Sequence, residues 1–144
     1  MQDDFKEIVG HIHVIVKDKD GNVKHEHEQE NAITTAGKNG MADQLLASPS
    51  LGKPTHMAVG TGSPSGTALG TEVDRNALTS KTRSTNVVTL VGDWAAGDGT
   101  GTLTEAGIFD ASSAGNMWNS GTLSPSVPKG ASDTLQITWT ITFN

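Results

Sequence analysis

The stretch that decides the fold is "TLQITWTITFN", residues 134–144, because apolar and polar residues alternate along its whole length. Gln136 and threonines occupy one face, and large apolar side chains occupy the other: Leu135, Ile137, Trp139, Ile141 and Phe143. A period of two predicts a β-strand with one buried face. Because a terminal segment frays unless a sheet holds it, we expect an interior or well-paired strand. Its threonine face is either exposed to solvent or a contact surface for another subunit.

Composition favours short strands over a helical bundle. The 144 residues, the size of one compact domain, include 17 glycines and are rich in threonine and serine. Strand-like runs separated by glycine-rich turns recur, at residues 55–62, 85–96, 102–110 and 117–127. We therefore predict an all-β fold, an antiparallel β-sandwich of the jelly-roll or immunoglobulin-like type. Residues 63–75, "SPSGTALGTEVDR", show no clear period and are predicted to form a loop.

The beginning of the chain predicts a β-hairpin. Within residues 8–29, apolar residues alternate before the turn "DKDG", and a strongly polar strand follows it. Since charged strands discourage pairing, we expect the second strand to be exposed or at an edge. We divide the chain into an N-terminal hairpin or arm, residues 1–30, that contacts neighbours, and a sandwich domain, residues 31–144.

Four histidines lie in this hairpin, two on one face of each strand. They are His11, His13, His25 and His27. The hairpin register decides whether the two pairs share a face, in which case four imidazoles could hold zinc, or lie on opposite faces. We favour a solvated polar surface and predict no metal site.

One short α-helix is predicted near residues 34–47. Thr34 or Thr35 can cap its beginning, and Pro49 prevents its continuation. One apolar stripe is expected, formed by Met41, Leu45 and Leu46. Gly37 and Gly40 each cost about 1 kcal/mol relative to Ala in a helix, so we expect the helix to lie close against another backbone.

Composition also excludes several function classes. The chain has no cysteine, which rules out disulfides and thiolate chemistry. Its net charge is −6 and it has no cluster of lysine and arginine, so we expect no nucleic-acid partner. It shows no signal peptide and no long apolar run, and we therefore expect a soluble protein, made in the cytoplasm, without a membrane partner.

No residue pattern predicts an enzyme or a cofactor. Glu105 could form a carboxylate site with Asp93, Asp98 and Asp110, but we favour a glutamate that accepts hydrogen bonds from loop amides. "GTGSPSG", residues 60–66, lacks the Lys-Ser/Thr ending of a phosphate-binding loop. The tryptophans point to packing and contacts, since Trp139 belongs to the apolar face, whereas Trp118 is either an exposed anchor or part of a local core.

Four segments together resemble a family of small structural proteins of tailed bacteriophages. They are "NAITTAGKNGMADQLL", "HMAVGTGSPSGTALGTEVDR", "GTLTEAGIFDASSAGNMW" and "PKGASDTLQITWTITFN". The resemblance covers about residues 31–144 and leaves out the hairpin. It implies a β-sandwich virion component, either a head decoration or cement protein or part of a tail tip or fibre.

We take head decoration as the main functional hypothesis, because the chain shows none of the stalk, coiled-coil or repeat patterns that fibres often carry. A cement protein would lie on the capsid exterior and stabilise the shell by binding the major capsid protein and copies of itself, as a dimer or trimer. We expect the hairpin and residues 63–75 to contact neighbouring proteins. The candidate interface residues are His13, His25, Leu69, Arg75 and Trp118.

The alternative is a tail-tip or tail-fibre component that binds tail proteins and a host receptor or carbohydrate. Under this hypothesis Trp118 would be an exposed anchor in a ligand site. The polar members of that site would be Asp110, Asn116 and Asn119.

Overall fold

The computed structural model describes residues 8–144, which form a β-sandwich with one helix. The elements are β1 Ile8–Lys17, β2 Val23–Ile33, α1 Thr35–Asp43, β3 His56–Gly60, β4 Glu72–Ala77, β5 Ser80–Ser84, β6 Val87–Trp94, β7 Gly101–Phe109, β8 Met117–Lys129 and β9 Thr134–Phe143. The prediction of an all-β antiparallel sandwich with a short helix and an N-terminal hairpin is therefore confirmed. No helix within this part of the chain is long and apolar enough to cross a membrane.

A single run of strand pairing makes both layers of the sandwich. All pairs are antiparallel, and the order is β4-β3-β7-β8-β2-β1-β9-β6-β5. The long strand β2 pairs with β1 along most of its length but with β8 only through Ala32 and Ile33. The sheet thus bends at β2, so that β5-β6-β9-β1-β2 form one layer and β2-β8-β7-β3-β4 form the other.

The layers are also linked at the opposite edge, where β4 leads into β5. Leu78 N donates to Thr55 O in one layer at 2.9 Å, and Thr79 N donates to Val91 O in the other at 2.8 Å. Because consecutive residues bond to both layers, the sandwich is held together along both edges.

The strand β9 lies between β1 and β6, which confirms the predicted interior pairing. Four of its five alternating apolar side chains are at most 3% exposed, and together they run through the core. Each such burial contributes about 1.5–3 kcal/mol as an upper estimate. Phe143 is the exception at 38% exposure, because it lies at the open end of the layer.

The hairpin that the sequence suggested as an arm lies inside the sheet. β1 pairs with β9 over its whole length on one side, and with β2 from Gly10 to Lys17 on the other. Ile12, Val14 and Val16 are fully buried, since their alternating row faces the opposite layer. Residues 1–7 of the suggested arm lie outside the described residues, and contact between the hairpin and neighbours stays a prediction.

The helix α1 is capped by Thr34, whose Oγ1 accepts from Gly37 N at 2.9 Å. The predicted close approach is confirmed: a Cβ on Gly37 would lie 2.1 Å from the carbonyl oxygen of Trp118, and one on Gly40 would lie 2.3 Å from its ring. The predicted apolar stripe is wrong beyond Met41, because the helix ends at Asp43. Leu45 is consequently 88% exposed.

The stretch predicted as a loop at residues 63–75 ends in a strand, since β4 begins at Glu72. This prediction is wrong in its last four residues because β4 is a polar edge strand with no buried alternating face. Edge strands carry such sequences because an apolar edge would invite unwanted pairing.

Candidate functional site

The register of the β1–β2 hairpin separates the two histidine pairs. His27 is opposite Val14 and His25 is opposite Val16, so both face the inside of the sandwich near its edge. His11 and His13 lie on the outer face, where His13 Nε2 lies 2.7 Å from a carboxylate oxygen of Glu26. The four imidazoles do not converge, and among residues 8–144 no three histidine or acidic side chains are grouped closely enough to hold a metal ion.

A row of polar side chains on the inner face of β2 bridges the two layers; we call His25, His27 and Gln29 the polar row. His25 Nε2 lies 2.8 Å from His27 Nδ1, and His27 Nε2 lies 2.8 Å from Gln29 Oε1. Gln29 in turn donates to Thr122 O at 2.7 Å and accepts from Ser124 N at 3.0 Å. The polar row therefore ties β2 to β8 beyond their short backbone pairing.

The hydrogen bonds of the polar row depend on which ring nitrogens of His25 and His27 carry a proton. Because the amide oxygen of Gln29 can only accept, His27 donates through Nε2, and a neutral His27 then accepts a hydrogen bond from His25 through Nδ1. Burial and the neighbouring His27 lower the pKa of His25 below its ordinary value. These surroundings therefore favour the neutral form of His25.

The expectation for Glu105 is confirmed, since this fully buried carboxylate binds loop amides. Its Oε1 accepts from Gly70 N at 2.6 Å, and its Oε2 accepts from Thr71 N at 2.7 Å and from Gly62 N at 2.9 Å. The side chain fastens residues 61–71 to β7. Asp93 has separate partners, for it accepts from Thr79 Oγ1 at 2.6 Å.

The ligand site suggested around Trp118 is not formed. Trp118 is only 4% exposed and Asn119 is fully buried, because α1 covers this part of β8. Asn116 bonds instead to Asp110, through its backbone N at 2.7 Å and its side chain at 3.1 Å. The hypothesis of an exposed Trp118 anchor is therefore wrong, and Trp118 belongs to the core.

Arg75 and Leu69 have partners within the chain. The Arg75 guanidinium lies 3.7 Å from the ring centre of Phe109, and it donates to the carbonyl oxygens of Ala111 and Ala114 at 3.0 Å and 2.8 Å. Leu69 packs against a small apolar cluster, which consists of Ala58, Phe109 and Met117. Arg75 thus fixes the turn between β7 and β8, and contact of either residue with a neighbour stays a prediction.

Sequence reasoning missed a surface groove of about 830 Å³ between α1 and the layer that contains β9. We call it the apolar groove, because eight of its lining side chains are apolar: Met41, Leu45, Pro54, Val88, Leu90, Trp118, Ile141 and Phe143. Three cations also line it, namely Lys53, Lys81 and Arg83. Its walls come from segments that are distant in sequence, so no single stretch of sequence signals it.

The chain matches a family model over most of its length. Residues 32–141 match the model described as Podophage GP4 fiber I protein gp80. The matched region extends from the end of β2 into β9 and includes α1. No curated protein and no solved structure matches the chain.

Proposed function

The chain belongs to the podophage GP4 fiber I protein gp80 family, and from this premise we propose that it is a building block of a phage tail fibre. As a member of this family, it is a structural protein of a tailed phage. The family match over residues 32–141 carries the proposal. Of the two placements drawn from the sequence, the match favours the tail fibre, given above as the alternative, over head decoration on the capsid exterior.

The rigidity of the sandwich supports a role as a structural module. The two layers are linked at both edges, through β2 and through the passage from β4 to β5. Buried polar contacts fasten the loops, as Glu105 does for residues 61–71 and Arg75 for the turn after β7. A densely packed block of this kind keeps its contact surfaces in fixed positions.

We propose that the protein acts through contacts and has no catalytic role. The side chains that the sequence offered for chemistry serve the fold instead: Glu105 holds a loop and the polar row links two strands. Their structural partners support this proposal.

The proposed partners are copies of the chain and other tail proteins. The outer face of the β9 layer supports this proposal, because it presents a row of β-branched side chains. Thr140 pairs with Thr89, and Thr138 pairs with Val91 on the neighbouring strand. A host receptor or carbohydrate at Trp118 and Asn119 has less support, since both side chains are buried.

Gold labelling of purified virions tests the placement. A tag inserted at Gly66 is suitable, because the space around this loop residue is open. We expect the label on the tail fibres and a low copy number by quantitative mass spectrometry. A tagged major capsid protein serves as the control for head labelling. Label spread over the head in the same pattern as this control would refute the tail placement.

A further inference from the structure

The apolar groove lies at the end of the sandwich where the described part of the chain begins. We propose that residues 1–7 of the same chain, "MQDDFKE", bind in this groove. Phe5 would contact the apolar floor, and Asp3 and Asp4 would face the cations that line it. The proposal concerns an intramolecular contact and does not depend on the tail placement.

The groove lies next to the point where residues 1–7 join the sheet. The first described residue, Ile8, pairs with Phe143, and Phe143 lines the groove. The turn between β5 and β6 is at the same end, since Phe143 N donates to Asn86 O at 3.0 Å and Asn86 also lines the groove. Seven extended residues reach about 24 Å. The point of attachment of residues 1–7, Ile8, therefore lies beside the groove, and a segment of seven residues is long enough to cross it.

The floor of the groove is an apolar surface that a partner could cover. A groove of about 830 Å³ is within the size range of binding sites, and contiguous exposed apolar surface of this kind normally meets a partner. Leu45 stays 88% exposed at one side of the groove, and Phe143 is 38% exposed at the other. Phe5 is the one aromatic residue in residues 1–7, and aromatic side chains are the usual anchors of such contacts.

The rim of the apolar groove is positively charged. Lys53, Lys81 and Arg83 line the groove, and none of the lining residues in the described part of the chain is an aspartate or glutamate. Within residues 8–144 none of these three cations forms an ion pair with a carboxylate. Such a positive surface stands out on a chain with a net charge of −6.

Residues 1–7 carry the complementary charge. They contain Asp3, Asp4 and Glu7 against one lysine, Lys6. Opposite charges on facing surfaces favour docking in one orientation. The acidic residues are next to Phe5 in sequence, so one short segment supplies both the apolar and the anionic partner.

Cross-linking tests the proposal, because the chain has no native cysteine. One variant carries Gln2→Cys with Gln44→Cys, since Gln44 lines the groove at the end of α1. The control variant carries Gln2→Cys with Ser132→Cys, an exposed residue near Thr134, which pairs with Lys17 at the far end of β1. With a short bis-maleimide we expect the groove pair to cross-link within one chain at least about tenfold faster than the control pair.

A charge swap makes the test specific. Lys81→Glu with Arg83→Glu should reduce cross-linking of the groove pair to the control rate, and Asp3→Lys with Asp4→Lys in the same protein should restore it. Phe5→Ala should also reduce it, and circular dichroism checks that every variant is folded. Equal rates for the two cysteine pairs would overturn the proposal. A product formed only between two chains would overturn it as well, because the groove would then hold a segment of a second copy.

Discussion

Gly37 and Gly40 allow α1 to pack closely against Trp118, because glycine has no Cβ atom. Replacing an exposed helical glycine with alanine normally stabilises a protein by about 1 kcal/mol. Here we expect Gly37→Ala to lower the free energy of unfolding by about 1–3 kcal/mol, because the new Cβ would lie 2.1 Å from the Trp118 carbonyl oxygen. Urea denaturation measures the change. Gly66→Ala, with nothing within 4 Å, is the control, and a stabilised Gly37→Ala variant would contradict the close contact.

Glu105 is the second residue whose substitution tests the structure. In Glu105→Gln an NH2 group replaces one oxygen and meets a backbone N–H that now has no acceptor. We expect a loss of about 1–3 kcal/mol in the free energy of unfolding and faster hydrogen exchange at Gly62, Gly70 and Thr71. Glu28→Gln is the matched control, since Glu28 is exposed and lies 3.6 Å from His11. Unchanged exchange at the three amides would show that the charge of Glu105 is not needed there.

His25 makes stability depend on pH near neutrality. The folded-state pKa of His25 is lowered by burial and by His27, so the unfolded chain binds more protons between that pKa and the ordinary value of about 6.5. The contribution of His25 is therefore complete above pH 6.5 and declines as the pH falls through this window. We expect the melting temperature to be lower at pH 5 than at pH 7.5, and His25→Gln to reduce the difference.

Asp133 does not interfere with this measurement. Hydrogen bonds from Lys24 and from Gly130 N lower the pKa of Asp133, so its contribution to stability is lost only in more acidic solution. If His25→Gln keeps the full pH dependence of the parent protein, the effect has another source.

Among the elements, β1 decides whether the hairpin is an arm or a part of the sandwich. It supplies Ile12, Val14 and Val16 to the core and pairs with β9 over ten residues. We therefore expect residues 31–144 alone not to fold, because β9 would lose a neighbour and the core would lose one wall. Residues 8–144 should keep the cooperative unfolding of the full chain. A well-dispersed NMR spectrum of the 31–144 fragment would contradict the central position of β1.

The elements also show what the sequence could predict. The strict alternation of residues 134–144 identified β9. Thr34 and Pro49 indicated where the helix begins and ends, and Gly37 and Gly40 within it indicated that it packs closely against another backbone. Local patterns could not reveal which strand pairs with which, so β1 was assigned to an arm. The same limit hid the apolar groove, because Lys53, Trp118 and Phe143 meet only after the strands have paired.

At the scale of the whole molecule, the amino-acid composition excluded some kinds of chemistry but did not identify a function. The absence of cysteine excludes disulfides and thiolate chemistry, and the resemblance pointed to a phage structural protein. Nothing local separated head from tail, because both need a rigid sandwich with docking surfaces. The family match over residues 32–141 favours the fibre, which is the placement we propose.

A cryo-electron microscopy reconstruction of the intact virion, refined around the tail, tests the central claim most directly. We predict that the nine-stranded sandwich fits density in a tail fibre, with β1 between β2 and β9 in every copy. Density for the sandwich on the capsid surface, and none in the fibres, would contradict the account.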